Sequence, residues 1–229
     1  MAVGDDFVPD PSRTLGYRAF RGLVHTTWAC CFRPEVTGAE LVPTTGPFII
    51  APIHRSNVDF ALAIYVTPRK TFFIAKDSLW DFKPLGRFIS TMGAFPVHRG
   101  TADRAALVHA ESVLRAGEPL VLFPEGTRQE GPIVGTLLEG AAFLAARTGA
   151  PIVPVGIGGT DRAMPKGKKL PRPVKVRIVI GAPVPPPTGG DAGRVPRSRL
   201  RETTEELRRS LQAVYDQACG RLSAPATTS

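Results

Sequence analysis

The run Leu120-Val121-Leu122-Phe123 has no polar face, and it leads straight into Pro124-Glu125-Gly126-Thr127-Arg128. Four consecutive apolar residues ended by Pro and Gly read as a buried strand. Before it, Thr101 to Ala116 has the pattern of a helix capped by Thr101 or Asp103 and closed by Gly117. After it come a small-residue helix from Leu137 to Thr148, closed by Gly149, and a second apolar strand, Ile152 to Ile157. Strand, helix and strand at these lengths argue for an α/β domain, with a mostly parallel or mixed central sheet flanked by helices. Ligands gather at the carboxyl ends of the strands in such a sheet.

The rest of the chain extends this pattern. From Leu15 to Phe32, the residues Phe20, Leu23, Val24, Trp28, Cys31 and Phe32 recur at helical spacing, with Arg18, Arg21 and Arg33 among and beside them. This helix either packs on the core or lies at a membrane interface, with its aromatic residues in the bilayer boundary and its arginines on anionic head groups. Gly38 to Gly46 reads as a hairpin or loop, and Phe48 to Ala51 as a strand that Pro52 breaks. A short helix from Asn57 to Tyr65, a strand from Thr71 to Ala75, a loop over Lys76 to Trp80, a helical turn from Gly86 to Met92 and a strand within Gly93 to Gly100 follow.

Val174 to Ile180 has the alternation of an edge strand, with Lys175 and Arg177 outward, and Pro183 to Gly190 the composition of a linker. Leu200, Thr204, Leu207, Leu211, Val214 and Ala218 share one face of a final helix. The expected division is residues 1–35 as an amphipathic, membrane-associating segment and 36–190 as the α/β core. A helix docked on the core then occupies 191–222, and 223–229 form a disordered tail.

With 229 residues, 43% of them hydrophobic, the chain can bury one substantial core. Its formal net charge of +9 favours anionic partners, which leaves nucleic acid, an anionic membrane and phosphorylated substrates open. Cys30, Cys31 and Cys219 lack metal-ligand spacing and read as reduced thiols, which points to a cytosolic setting. No segment reaches the roughly 18–20 apolar residues of a spanning helix, and Asp5, Asp6 and Asp10 stand where a signal peptide would be basic.

Three groups of residues can carry chemistry. In His54-Arg55-Ser56-Asn57-Val58-Asp59, an imidazole and a carboxylate sit five positions apart at a strand-to-helix turn, a spacing that suits either a general base with its orienting carboxylate or a structural hydrogen bond. Ser56 and Asn57 can alternatively cap the helix that follows. In Glu125-Gly126-Thr127-Arg128 a carboxylate and a guanidinium leave a strand end together, and Gly126 allows close backbone approach. Lys76, Arg99 and Arg128 each lie just beyond an expected strand and together could cradle a phosphate. There is no Gly-rich nucleotide loop and no metal-ligand cluster, so neither a metal nor a bound cofactor is expected. The paired acid and base groups also argue against a simple nucleic-acid-binding module, which would not need them.

Taken in order, His54 to Asp59, Gly93 to Arg99, Phe123 to Arg128 and Val153-Pro154-Val155 resemble the four sequence blocks of the glycerolipid acyltransferases, of the 1-acyl-sn-glycerol-3-phosphate acyltransferase type, over roughly residues 48 to 180. The resemblance implies His54 as general base, Asp59 as its partner, Lys76, Arg99 and Arg128 as phosphate ligands, and Glu125, Gly126 and Thr127 on the acceptor. It also implies acyl-CoA or acyl carrier protein as donor, lysophosphatidic acid as acceptor, and a peripheral or monotopic place on the cytoplasmic face of an anionic membrane. Without a Ser or Cys in an elbow motif, acyl transfer would be direct. Leu138-Glu139-Gly140 departs from the pattern, placing an acid where many relatives carry a base. Another lysophospholipid or a glycolipid therefore stays open as the acceptor.

Overall fold

The apolar runs form seven strands among the residues that the computed structural model describes, 15–97, 104–164, 170–189 and 195–220. They are β1 (Glu35–Thr37), β2 (Ile49–Pro52), β3 (Phe72–Lys76), β4 (Ala94–Val97), β5 (Leu120–Val121), β6 (Ile152–Gly158) and β7 (Arg177–Ile180). The strands make one sheet in the order β1-β7-β6-β2-β5-β3-β4. Every pair is parallel except β6 with β7. The mostly parallel α/β sheet expected from the strand and helix alternation is the one observed.

Among the described residues seven helices accompany the sheet: α1 (Leu15–Phe32), α2 (Asp59–Leu62), α3 (Lys83–Thr91), α4 (Arg104–Arg115), α5 (Gly140–Thr148), α6 (Thr160–Ala163) and α7 (Arg197–Ala218). β2 and β6, side by side at the centre, are buried throughout, as a strand covered on both faces must be. Phe48, Ile49, Ile50, Leu114, Leu144, Ile152 and Ile178 are fully enclosed around them. Burial of each such side chain stabilises the fold by about 1.5–3 kcal/mol.

Pro52 does not break β2; it is the last residue of the strand, in register with Val155. Ile49 donates to Pro151, just before β6, and Ile53 to Val155 within it, so the missing N–H of Pro52 falls on the β5 side, where β5 has already ended at Val121. Val174 to Ile180 differs from expectation in position. β7 begins only at Arg177 and lies second from the edge, because Glu35–Thr37 pairs with it as an unforeseen outer strand. Lys175 and Arg177 do point outward, and both pair with Glu35 on β1. Within Pro183–Gly190, Val184 exchanges two backbone hydrogen bonds with Ile152 and is buried, so this Pro-rich stretch continues the sheet where a linker was expected.

Gly38 to Gly46 contains a 3-10 turn at Ala39–Leu41, Asp77–Trp80 is a 3-10 turn in place of a loop, and α5 starts at Gly140, three residues later than expected. The Thr101 or Asp103 cap, the leading residues 1–14 and the tail 223–229 lie outside the described residues.

Two helices tie the ends of the chain to the core. α1 inserts Phe32, stacked on Trp28 with ring centroids 4.9 Å apart. Its Arg21 donates to the carbonyls of Ile64 and Thr67 at 2.9 and 2.6 Å and of Arg69 at 3.2 Å, closing the end of the 3-10 turn Ala63–Tyr65. This arginine is therefore engaged by protein carbonyls. No helix among the described residues is long and apolar enough to cross a membrane.

α7 lies directly on β6. A Cβ at Gly156 would come within 2.6 Å of Tyr215 N, and one at Gly158 within 3.0 Å of Cys219 N, with carbonyl groups of α7 closer still in both cases. The two glycines let helix backbone rest on strand backbone. As a result Leu207, Leu211, Val214, Tyr215 and Ala218 are buried.

Candidate active site

β2 ends where Ile53 donates to Val155, and the chain turns there so that His54, Arg55 and Ser56 leave the carboxyl edge of the sheet, all buried. Asp59, the first residue of α2, folds back onto this turn. Its Oδ2 accepts the N–H of Ser56 at 2.6 Å and of Arg55 at 2.7 Å, and lies 3.2 Å from His54 Nδ1. One carboxylate oxygen thus fixes both the turn and the imidazole, and the five-residue spacing follows from that geometry. Ser56 and Asn57 are not the caps: Ser56 Oγ donates to Met164 O at 3.1 Å, Asn57 is exposed, and α2 has no side-chain cap. Asp59 Oδ1 is buried with no hydrogen-bond partner among the described residues.

The turn after β5 reaches the same place from the neighbouring strand. The ring of Phe123 lies against that of His54, centroids 4.2 Å apart. Glu125, expected on the acceptor, is turned inward. Its Oε2 accepts the His54 N–H at 2.8 Å, and Arg55 Nη1 donates to its two oxygens at 2.7 and 2.9 Å. Both side chains are almost wholly enclosed, 2% exposed for Arg55 and 1% for Glu125, so this carboxylate is used within the protein.

Arg55, which the sequence reading leaves without a role, also donates to Gly131 O, Ile133 O and His54 O at 3.1–3.2 Å. The signal for it was present in the sequence: an arginine between His54 and Asp59, in a stretch that becomes buried, needs an acid, and Glu125 is the acid of the other block.

Gly126 has a φ of +69°, and a Cβ there would meet Leu138 Cδ1 at 2.7 Å, so the close approach it permits is that of Leu138. Thr127 and Arg128 are exposed beyond it, with the Thr127 hydroxyl accepting from Gln129 Nε2. Lys76, also exposed, ends β3, which is parallel to β5 and β4 on either side. Lys76 and the Arg128 loop therefore leave the same sheet edge, whereas Arg99 lies outside the described residues. Glu139, the departure noted in the sequence, stands just before α5 without a side-chain capping bond and pairs with Arg197 and Arg201 of α7 at 3.5 and 3.6 Å. Among the described residues no group of His, Cys, Asp and Glu could hold a metal ion.

An imidazole gripped at Nδ1 by a buried carboxylate, with its backbone fixed on both sides, keeps Nε2 as the remaining proton acceptor, a geometry suited to general-base chemistry. The crystal structure of the 1-acyl-sn-glycerophosphate (LPA) acyltransferase from Thermotoga maritima superposes with a TM-score of 0.71 at 27% identity, covering 91% of this chain and 81% of that one. A 1-acyl-sn-glycerol-3-phosphate acyltransferase of Bacillus subtilis is 29% identical over 185 residues, 80% of this chain and 88% of the relative. The chloroplastic 1-acyl-sn-glycerol-3-phosphate acyltransferase of Arabidopsis thaliana is 29% identical over 196 residues, and the match spans only 53% of that longer protein. The acyltransferase family model matches residues 33–158, from the outer strand through both turns to the end of β6, and the chain belongs to that family.

Proposed function

We propose that this chain is a 1-acylglycerol-3-phosphate O-acyltransferase of phospholipid biosynthesis. It moves a fatty acyl group from acyl-CoA or acyl carrier protein to the free hydroxyl of lysophosphatidic acid. The observation that carries the reading is the His54–Asp59 contact of 3.2 Å at the carboxyl edge of the sheet, beside the Glu125–Arg128 turn.

With Nδ1–H held by Asp59, His54 Nε2 takes the proton of the acceptor hydroxyl as its oxygen attacks the thioester carbonyl carbon. The carbonyl π electrons move to oxygen, and Asp59 stabilises the imidazolium. Collapse of the tetrahedral intermediate breaks the C–S bond, and Nε2 returns the proton to the departing thiolate, which leaves an ester and a free thiol. Arg128 and Lys76, exposed at the same edge, offer cations to the acceptor phosphate, with Arg99 as the third. Glu125 and Arg55 position His54 from below. Support for a peripheral place on an anionic membrane comes from Phe60 and Phe82, 56% and 66% exposed in the segments that follow β2 and β3, with Lys83 and Arg87 exposed beside Phe82.

The test is product mass spectrometry on a pool of lysolipid acceptors with each donor, for the parent, His54→Ala, Asp59→Asn and Arg128→Ala. The expected outcome is phosphatidic acid from the parent and a loss of roughly 10²–10⁴-fold in kcat without the base or its partner. Arg128→Ala should chiefly raise KM for the phosphorylated acceptor. Full turnover by His54→Ala, or a preference for acceptors without a terminal phosphate, overturns the reading.

A further inference from the structure

We propose that Tyr215, on the C-terminal helix and beyond the family-matched residues, is a positioning residue for His54, acting through Arg55 and Glu125; this rests on His54 being the base. The Arg55 guanidinium carbon lies 5.0 Å from the centroid of the Tyr215 ring. Tyr215 OH lies 3.5 Å from Gly131 O, the carbonyl that also accepts Arg55 Nε at 3.2 Å. From there the chain of contacts is unbroken. Arg55 Nη1 donates to Glu125 and to His54 O, and Glu125 Oε2 accepts from His54 N. The backbone of His54 is thus held at N by Glu125 and at O by Arg55, with Gln129 N a second donor to that oxygen at 2.9 Å. Asp59 holds the ring and the backbone N–H groups of Arg55 and Ser56 that follow, but makes no contact with the backbone of His54 itself.

The Arg55 guanidinium lies over the Tyr215 ring, and an arginine held against an aromatic face in a desolvated site is strongly oriented. α7 also grips the loop that supplies the arginine's other acceptors: Gln212 Oε1 accepts from Val134 N at 2.7 Å, and Gln212 Nε2 donates to Pro132 O at 3.1 Å. The seating of α7 against Gly156 and Gly158 fixes how far Tyr215 reaches. In this chain the C-terminal helix is therefore part of the support of the reacting edge, as well as a cover for β6.

The experiment compares Tyr215→Leu and Tyr215→Phe with Leu207→Val, a core change two turns away on the same helix. Each variant is assayed for kcat and KM under conditions where melting curves show it folded. A base displaced by about 1 Å can lose on the order of 10²-fold in rate, so Tyr215→Leu should lower kcat by about 10- to 100-fold with KM for both substrates little changed. Tyr215→Phe, which keeps the ring face, should stay within about threefold of the parent, and Leu207→Val should lose stability without loss of kcat.

The His54 ring resonances, assigned by their disappearance in His54→Ala, give a readout that needs no substrate. They should shift or broaden in Tyr215→Leu and stay parental in the other two variants. Parental kcat and parental His54 resonances in folded Tyr215→Leu overturn the proposal, as does equal impairment of Tyr215→Phe. If the parent fails to acylate lysophosphatidic acid while the resonances still shift as expected, the functional reading falls and the positioning role stands.

Discussion

Replacing Gly156 by Ala measures how tightly α7 is seated. The new Cβ would lie 2.6 Å from Tyr215 N and nearer still to the Val214 carbonyl, against 3.4 Å for the onset of ordinary contact, so strand and helix must part by about 1 Å to clear that carbonyl. Backbone stands on both sides, and no rotamer relieves the clash. A gap of about 0.5–1 Å forfeits a quarter to a half of the contact energy across it. Leu211, Val214 and Tyr215 are the large buried side chains on this part of α7. At about 1.5–3 kcal/mol for burying each, the loss is about 1–4 kcal/mol, and we expect about 3 kcal/mol, the upper end for overpacking. For a domain of this size that lowers Tm by about 6–12 °C. Urea unfolding and calorimetry should be run beside Gly140→Ala, whose Cβ meets nothing within 4 Å at the start of α5. That control should be neutral or more stable by up to about 1 kcal/mol. A Gly156→Ala protein within about 0.5 kcal/mol of the parent would refute the reasoning.

Two further outcomes concern charge. Glu125→Gln leaves the Arg55 guanidinium, 2% exposed, without its counter-charge; a destabilisation of about 3–5 kcal/mol is expected from urea midpoints, and a cost under about 1 kcal/mol would mean that the pair is not holding the turn. His109 on α4 lies against Phe95, ring centroids 4.3 Å apart, and burial lowers its pKa from the ordinary 6.5. As pH falls below about 6.5 the unfolded chain therefore takes up this proton before the folded one does, and the contribution present above that pH is progressively lost. His109→Gln should flatten the decline of unfolding free energy as pH falls below about 6.5; an unchanged slope would remove His109 as its source.

Much of the architecture was legible in the sequence because it is written in local patterns. Leu120 and Val121 had to be a buried strand, although it ends there and leaves the half-buried Leu122 and Phe123 to the turn; Gly117 and Gly149 had to close helices, and both adopt the left-handed backbone that permits it. The spacing from His54 to Asp59 is also local, and the turn that joins them is built from the N–H groups of Arg55 and Ser56 between them. The outer strand Glu35–Thr37 was invisible for the opposite reason. Three residues have no period of their own, and they become a strand only because β7, some 140 positions away, offers an edge and two cations for Glu35.

The same division runs through the candidate site. By itself the sequence determined an α/β sheet with an imidazole, a carboxylate and a Glu-Gly-Thr-Arg turn at strand ends, since short-range hydrophobic pattern and turn chemistry suffice for that. Only the tertiary structure decided that Glu125 faces inward to Arg55 and His54, that Gly156 and Gly158 exist to admit α7, and that Tyr215 lies over Arg55. Those contacts join residues roughly 50 to 160 positions apart in the chain, where no local pattern connects the partners and packing alone selects them.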